Sequence, residues 1–267
     1  MKTEINNLVE AIFSQAVALD QSGGLRNTIY VIGREIFILN YDHTVLLRFK
    51  LREGEKTFEQ PLSFKANDYD SNIFEEKDGK IIFYSDKGEY IRKKTCGTSD
   101  LTPEEVQELF KKYTTDLPER SPILLNSDVL SLIDEDLSHI EFSGEKGGTI
   151  TMIQRNIYSG GITEISKKEE GLFREELEHS FGPVAIKTND FRALFSIQQD
   201  DPTQSSTVLK FFFPTVRGKE DFILVKEGVK NGKRIFTGIV ACCLYDEIIK
   251  LQEVEIQREP KVMRRRT

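Results

Sequence analysis

The chain has no tryptophan, and only three cysteines, three histidines and eight prolines in 267 residues. Each shortage closes a class of function. Cys96, Cys242 and Cys243 are too few for a disulfide framework. The adjacent pair lies in an apolar run and reads as buried thiols, which fits a reducing cytoplasm. His43, His139 and His179 share no metal-ligand spacing, so no metal centre is expected, and no cofactor. No serine or cysteine has a visible base partner. The paired glycines Gly23-Gly24, Gly147-Gly148 and Gly160-Gly161 read as turns, not as a phosphate loop. No apolar run approaches the roughly 20 residues that cross a bilayer, and the polar, acidic N-terminus does not read as a signal peptide. Positive charge is also short: 37 basic residues face 44 acidic ones, for a net −7. That argues against a uniformly basic nucleic-acid binder but says nothing against a local basic surface.

What the chain does have is a repeat. Phe64-Lys65-Ala66-Asn67-Asp68-Tyr69 matches Ile186-Lys187-Thr188-Asn189-Asp190-Phe191 position by position: apolar, lysine, small, Asn-Asp, aromatic. Each copy runs into a second apolar pair, Ile73-Phe74 and Leu194-Phe195. A repeat of this kind implies two similar units in tandem. Around it, β-branched and aromatic runs alternate with turn residues, the pattern of antiparallel meanders. Expected strands are Thr28–Ile32, Glu35–Leu39, Val45–Leu51, Lys80–Tyr84 and Glu89–Lys93, then His139–Phe142, Thr149–Gln154, Ile162–Ser166, Val208–Phe213, Asp221–Glu227 and Arg234–Tyr245.

Helices are expected at 3–19, capped by Thr3, at Asn67–Phe74, at Asn126–Ile140, capped by Asn126 or Ser127, and at Asn189–Ile197. Thr102-Pro103-Glu104-Glu105 is a strong start for a further amphipathic helix. Leu117-Pro118 and Ser121-Pro122 should end that stretch, and residues 167–182 read as a charged insertion with helical spacing. The expected organisation is a unit at 1–95, a connector at 96–122, a second unit at 123–248 and a charged tail at 249–267 containing Arg264-Arg265-Arg266. The class is α+β, with short helices on one face of the antiparallel sheets. Asp134-Glu135-Asp136 reads as a solvated helix face, because neighbours on a helix point in different directions.

This arrangement resembles the ring-shaped DNA sliding clamps, above all the two-domain clamps of large bacterial viruses and proliferating cell nuclear antigen. The features that carry the resemblance are the opening helix, Glu35–Leu51, Phe64–Lys93 and Asn189–Asp246. It implies a ring-forming homotrimer with sheets outside and helices lining a hole, and no catalysis. The implied partners are duplex DNA held without sequence preference, a DNA polymerase and a clamp loader. The residues it points to for DNA are Lys2, Lys65, Arg155, Lys187 and Arg192. For the subunit interface they are Tyr90, Arg92 and Lys94 against Ile162 and Glu164. For a polymerase peptide they are Leu117, Pro118 and Ile123, in an exposed apolar patch. One feature departs from the family: the opening helix has only Lys2 beside Glu4 and Glu10, and 126–140 carries four acids and no base. A viral tail or baseplate protein, or an accessory factor that binds RNA polymerase, are the other classes this β-rich, acidic composition allows.

Overall fold

The computed structural model describes residues 3–4, 9, 12–13, 16, 27–51, 60–66, 73–77, 80–87, 89–95, 101–115, 122–148, 150–155, 168–170, 177, 179–196, 208–213, 222–227, 236–241 and 243–244. The expected meander forms from Thr28 onward. Strands β1 (Thr3–Glu4), β2 (Thr28–Ile32), β3 (Glu35–Leu39), β4 (Val45–Lys50), β5 (Leu62–Lys65), β6 (Ile73–Lys77), β7 (Lys80–Tyr84) and β8 (Tyr90–Thr95) make up the first half. The second half holds β9 (Pro122–Asn126), β10 (His139–Gly144), β11 (Ile150–Arg155), β12 (Lys168–Glu170), β13 (Phe181–Lys187), β14 (Val208–Phe212), β15 (Phe222–Glu227), β16 (Thr237–Ala241) and β17 (Cys243–Leu244).

The two halves repeat one topology. The first contains the strand orders β5-β2-β3-β4 and β1-β6-β7-β8, and the second contains β13-β10-β11-β12 and β9-β14-β15-β16. The register repeats as well. Thr28 lies opposite both Leu39 and Lys65, and His139 lies opposite both Arg155 and Lys187. Lys65 and Lys187 of the duplicated segment therefore occupy equivalent places. Every ladder among the described residues is antiparallel, and one of them, β4 with β16, joins the halves into a single eight-stranded sheet.

Strand alternation sorts the apolar residues onto two faces. Ile29, Val31, Ile36, Ile38, Val45, Leu47 and Phe49 point to one face, where they meet the helical residues Val9, Ile12, Phe13 and Ala16. Ile140, Phe142, Val184, Ile186, Phe211 and Phe213 continue that layer under the helix Thr188–Ser196, through Phe191, Leu194 and Phe195. Phe142 and Phe191 stand 5.5 Å apart, and Phe191 and Phe211 5.6 Å. The other face carries Tyr30, Phe37, Leu39, Leu46 and Ile239. It is covered by the connector helix Pro103–Thr114, whose Val106 and Phe110 reach across both halves. That helix begins as its sequence demands. Thr102 Oγ1 accepts from Glu105 N at 3.2 Å, and Glu105 Oε2 accepts from Thr102 N at 2.7 Å, a complete capping box.

Several expectations are corrected. Thr3–Glu4 is a strand paired with Phe74 and Ile73, not a helix cap, while Val9, Ile12, Phe13 and Ala16 beyond it are helical and buried. Ile73-Phe74 opens β6 instead of closing a helix, because cross-strand pairing with Tyr84 and Phe83 outweighs local propensity. The connector helix does end before Pro122, at Thr114, and Pro122 itself starts β9. As the first residue of an edge strand it has no ladder bond to lose.

The helix expected at 126–140 reduces to a 3-10 turn, Ser127–Leu132. Past it, Asp136 N donates to Asp134 Oδ1 at 3.0 Å and Asp134 N donates to Gln154 Oε1 at 3.1 Å. Such side-chain acceptors compete with helical hydrogen bonds. The charged stretch 167–182 contains β12 and the start of β13. Its Leu177 and Phe181 are buried against Gly144, where an added Cβ would stand 2.8 Å from Phe181 Cε1. Lys2, Asn67–Tyr69, Leu117, Pro118, 162–166 and the 249–267 tail lie outside the described residues.

Phe110 is 1% exposed and packs edge-on to Phe37 at 5.7 Å, with the Arg48 guanidinium 4.8 Å above its ring. Phe110→Ala should cost about 3–5 kcal/mol of unfolding free energy in a denaturant titration. A loss below about 1 kcal/mol would show that the connector helix is only an appendage.

Candidate nucleic-acid interface

The resemblance to sliding clamps implies that the face carrying the helix layer is the one turned toward DNA. On the helix Thr188–Ser196, positions 188, 190, 191 and 193–195 are buried, which leaves Asn189 and Arg192 toward solvent. Arg192 is half-buried and ion-paired through Nη2 to Glu135 Oε1 in the loop after the 3-10 turn. Glu135 of that loop therefore holds the one described base that this helix presents.

Lys65, Lys187 and Arg155 lie elsewhere. Phe64 and Ile186 point into the helix-covered core, so alternation turns Lys65 and Lys187 to the opposite side of their strands. Lys65 Nζ donates to Thr28 Oγ1 at 2.7 Å, on the side shared with Tyr30. Lys187 Nζ sits 2.8 Å from Asp42 Oδ2 in the β3–β4 turn of the other half. Arg155 follows the same rule. Met152 and Gln154 point under the helix layer, and Arg155 Nε pairs at 3.1 Å with Glu141 on the reverse face. Burial pushes the Glu141 carboxyl up, and the Arg155 charge opposes that shift. None of these three bases projects from the helix layer, and the reason is strand phase: one residue of phase moves a side chain through the sheet.

The Lys187–Asp42 pair belongs to a polar cluster at the joint between the halves. Asn40 Oδ1 accepts from the backbone N of Thr44 and of Val45, each at 2.8 Å. Asn40 Nδ2 donates to Thr44 Oγ1 at 2.9 Å and, across the joint, to Asp190 Oδ1 at 3.4 Å. Asp190 is buried, and burial raises its carboxyl pKa against the opposing effects of Thr44 and Lys187. His139 sits opposite Lys187, with Ser138 Oγ 2.8 Å from its Nδ1. Burial, aided by the Lys187 charge, pulls its pKa down to about 4. Nothing in the sequence announced this cluster except the repeated Asn-Asp itself, since Asn40 and Asp42 read simply as turn residues.

The residues expected at a partner site are also redistributed. Ile123 is 2% exposed, because alternation in β9 sends Ile123 and Leu125 into the core, so it forms no part of an exposed patch. Leu124 is the outward residue, at 43% exposure. It lies opposite Lys210, whose Nζ stands 5.5 Å over the ring of Phe212. Of the expected interface residues, Tyr90 is exposed on β8. Arg92 and Lys94 follow it on that edge strand, and Ile162 and Glu164 lie outside the described residues.

The same architecture occurs in solved structures. A β clamp of H. pylori superposes over 91% of this chain with a TM-score of 0.55 at 14% identity. The fold is that of the DNA sliding clamps. The chain spans 66% of that H. pylori protein. It covers 99% of the PCNA of Thermococcus kodakaraensis, with a TM-score of 0.52 at 12% identity, and 99% of the matched chain in a PCNA2–PCNA3 complex of Sulfolobus tokodaii, with a TM-score of 0.51. No family model and no curated protein matches by sequence. At such identities a sliding-clamp fold is carried by its ladder and layer pattern, not by its individual residues.

His139 gives a test of the joint. Its folded pKa lies below the ordinary 6.5 value, so the unfolded chain takes up the proton first. The contribution of neutral His139 is complete above 6.5 and is lost as pH falls toward about 4. The imidazole should titrate near 4 by NMR; a midpoint at the ordinary value would mean the ring is solvated.

Proposed function

We propose that this chain is a DNA sliding clamp: a non-catalytic, homotrimeric ring that encircles duplex DNA and tethers a replicative DNA polymerase, after placement by a clamp loader in a reducing cytoplasm. One observation carries the reading. Within the chain, β4 of the first half pairs with β16, the last long strand of the second. By the repeated topology, β12 corresponds to β4 and β8 to β16. Among the described residues both β12 and β8 stand at sheet edges. The joint made once inside the chain can thus be made again, head to tail, between chains, and a heterologous contact that closes gives a ring. Closure removes two edges that would otherwise recruit stray strands. The β8 edge carries Arg92, Lys93 and Lys94, while β12 carries Glu169 and Glu170 beside Lys168, so the charges are complementary.

The match in length to whole PCNA chains supports two units per subunit and three subunits per ring. Such a trimer carries 3 × −7 = −21 charges. DNA must then be held by a local lining, with contacts to phosphates alone. Arg192 is the described candidate for that lining. A polymerase segment would dock on the outward side of the sheet, at Leu124 and Phe212.

Sedimentation should give a trimer at micromolar concentration, and the charge reversal Arg92→Glu with Lys94→Glu should give monomers of unchanged circular dichroism. A wild-type monomer at tens of micromolar would refute the ring. On circular primed DNA, Arg192→Ala should shorten polymerase products and lower the salt slope of duplex binding by about 1 for each phosphate no longer engaged. Wild-type processivity at physiological salt would remove Arg192 from the lining.

A further inference from the structure

Asp190 is 8% exposed, and its Oδ2 has no hydrogen-bond partner among the described residues. Its Oδ1 accepts the hydrogen bond that reaches from the Asn40 side chain across the joint. A buried carboxylate with one free oxygen is costly when charged and much less so when neutral. We propose that Asp190 and Asn40 form a proton-sensitive latch at the joint, holding the two halves at one angle while Asp190 is neutral and loosening them when it ionises.

The surroundings of Asp190 fit this role. The β3–β4 turn contributes Asp42, whose negative charge opposes ionisation, and His43 lies in the same turn. Two groups favour ionisation: Thr44 of the same turn, through its hydrogen bonding to the carboxyl, and Lys187 at the end of β13, which is already bound to Asp42 at 2.8 Å; burial outweighs both. From β10, His139 is neutral above about 4 and offers no compensating cation. The remaining charges nearby in the chain, Arg192 and Glu135, are paired with each other. Ionised Asp190 would therefore sit in a joint whose cations are already committed. The backbone beside it is also the seam itself: Ala241 N donates to Thr44 O at 2.6 Å where β16 meets β4. A shift of Asn40 is transmitted directly to that ladder.

The sign of the linkage follows from the raised carboxyl pKa. Above the ordinary 3.8 the unfolded chain gives up this proton while the folded chain keeps it. Stability therefore falls as pH rises through the window between the two values, and is flat beyond it. The latch stands apart from the proposed ring, since it concerns the joint inside one chain.

The test uses the full chain with Cys96, Cys242 and Cys243 replaced by alanine and spin labels at the exposed positions Asp86 and Lys146, one in each half. Between about pH 4 and pH 8 the label–label distance distribution should broaden in the otherwise native chain and stay constant in Asp190→Asn, which keeps an acceptor for Asn40 but cannot ionise. Over the same range the melting temperature should decline relative to that of Asp190→Asn, and Asn40→Ala should broaden the distribution at every pH. Equal broadening in Asp190→Asn, or a constant distribution in the unsubstituted chain, overturns the latch. A pH-independent gap between the two melting curves does so as well.

Discussion

The ladder between β4 and β16 is the contact on which the rest of the molecule depends. Without it the chain is two copies of one topology, each with open edges. With it, four strands from each half form one sheet with two usable faces. One face receives the helices, and the other receives the connector helix, whose Val106 and Phe110 cover Tyr30, Phe37 and Leu46 from the first half and Ile239 from the second. The connector is thus a splint across the seam, and the strongest local signal in the sequence, its capping box, lies in the element that needs to fold in place without a strand partner. The same ladder places the Asn40 turn against Asp190, so the polar cluster is a consequence of the joint.

How much of this was legible in the sequence depended on the physical range of each signal. Hairpin strands were readable because turn chemistry and alternation act over a few residues: Glu35–Leu39 stands where its pattern put it. The duplication was readable because it needs no geometry, and the structure gives it meaning by placing Lys65 and Lys187 opposite equivalent first residues of β2 and β10. What was not readable was which side of a sheet a residue faces at the end of a strand. Lys65, Lys187 and Arg155 have the right residue type for DNA contact, but their phase turns them away from the helix layer. Phase is set by long-range register, and a lysine at the boundary of strand and helix carries no local mark of it. Ile123 failed for the same reason, one residue out of phase with the exposed Leu124. The helix read at 126–140 failed differently: its apolar spacing is real, but Asp134 and Gln154 supply acceptors that a helix would have left idle.

The electrostatics follow from these placements. In a chain with more acids than bases, four bases in structured positions are paired with acids: Arg48 with Glu35, Arg155 with Glu141, Lys187 with Asp42, Arg192 with Glu135. The Glu141 carboxylate is buried, whereas the more exposed of these pairs contribute little to stability, about 0–1 kcal/mol each. Their larger effect is on what the bases are free to do. A phosphate approaching Arg192 must compete with Glu135, so its net gain is smaller than that of an unpaired arginine in the same place. A ring lined by committed bases would hold DNA topologically, through closure, more than by attraction. Weak contacts to phosphate are what allow a ring to move along a duplex without trapping in one register. On this view the acidity of the chain and the proposed ring agree: a closed circle of strands would do the holding, and the charges would set how lightly the enclosed polymer is touched.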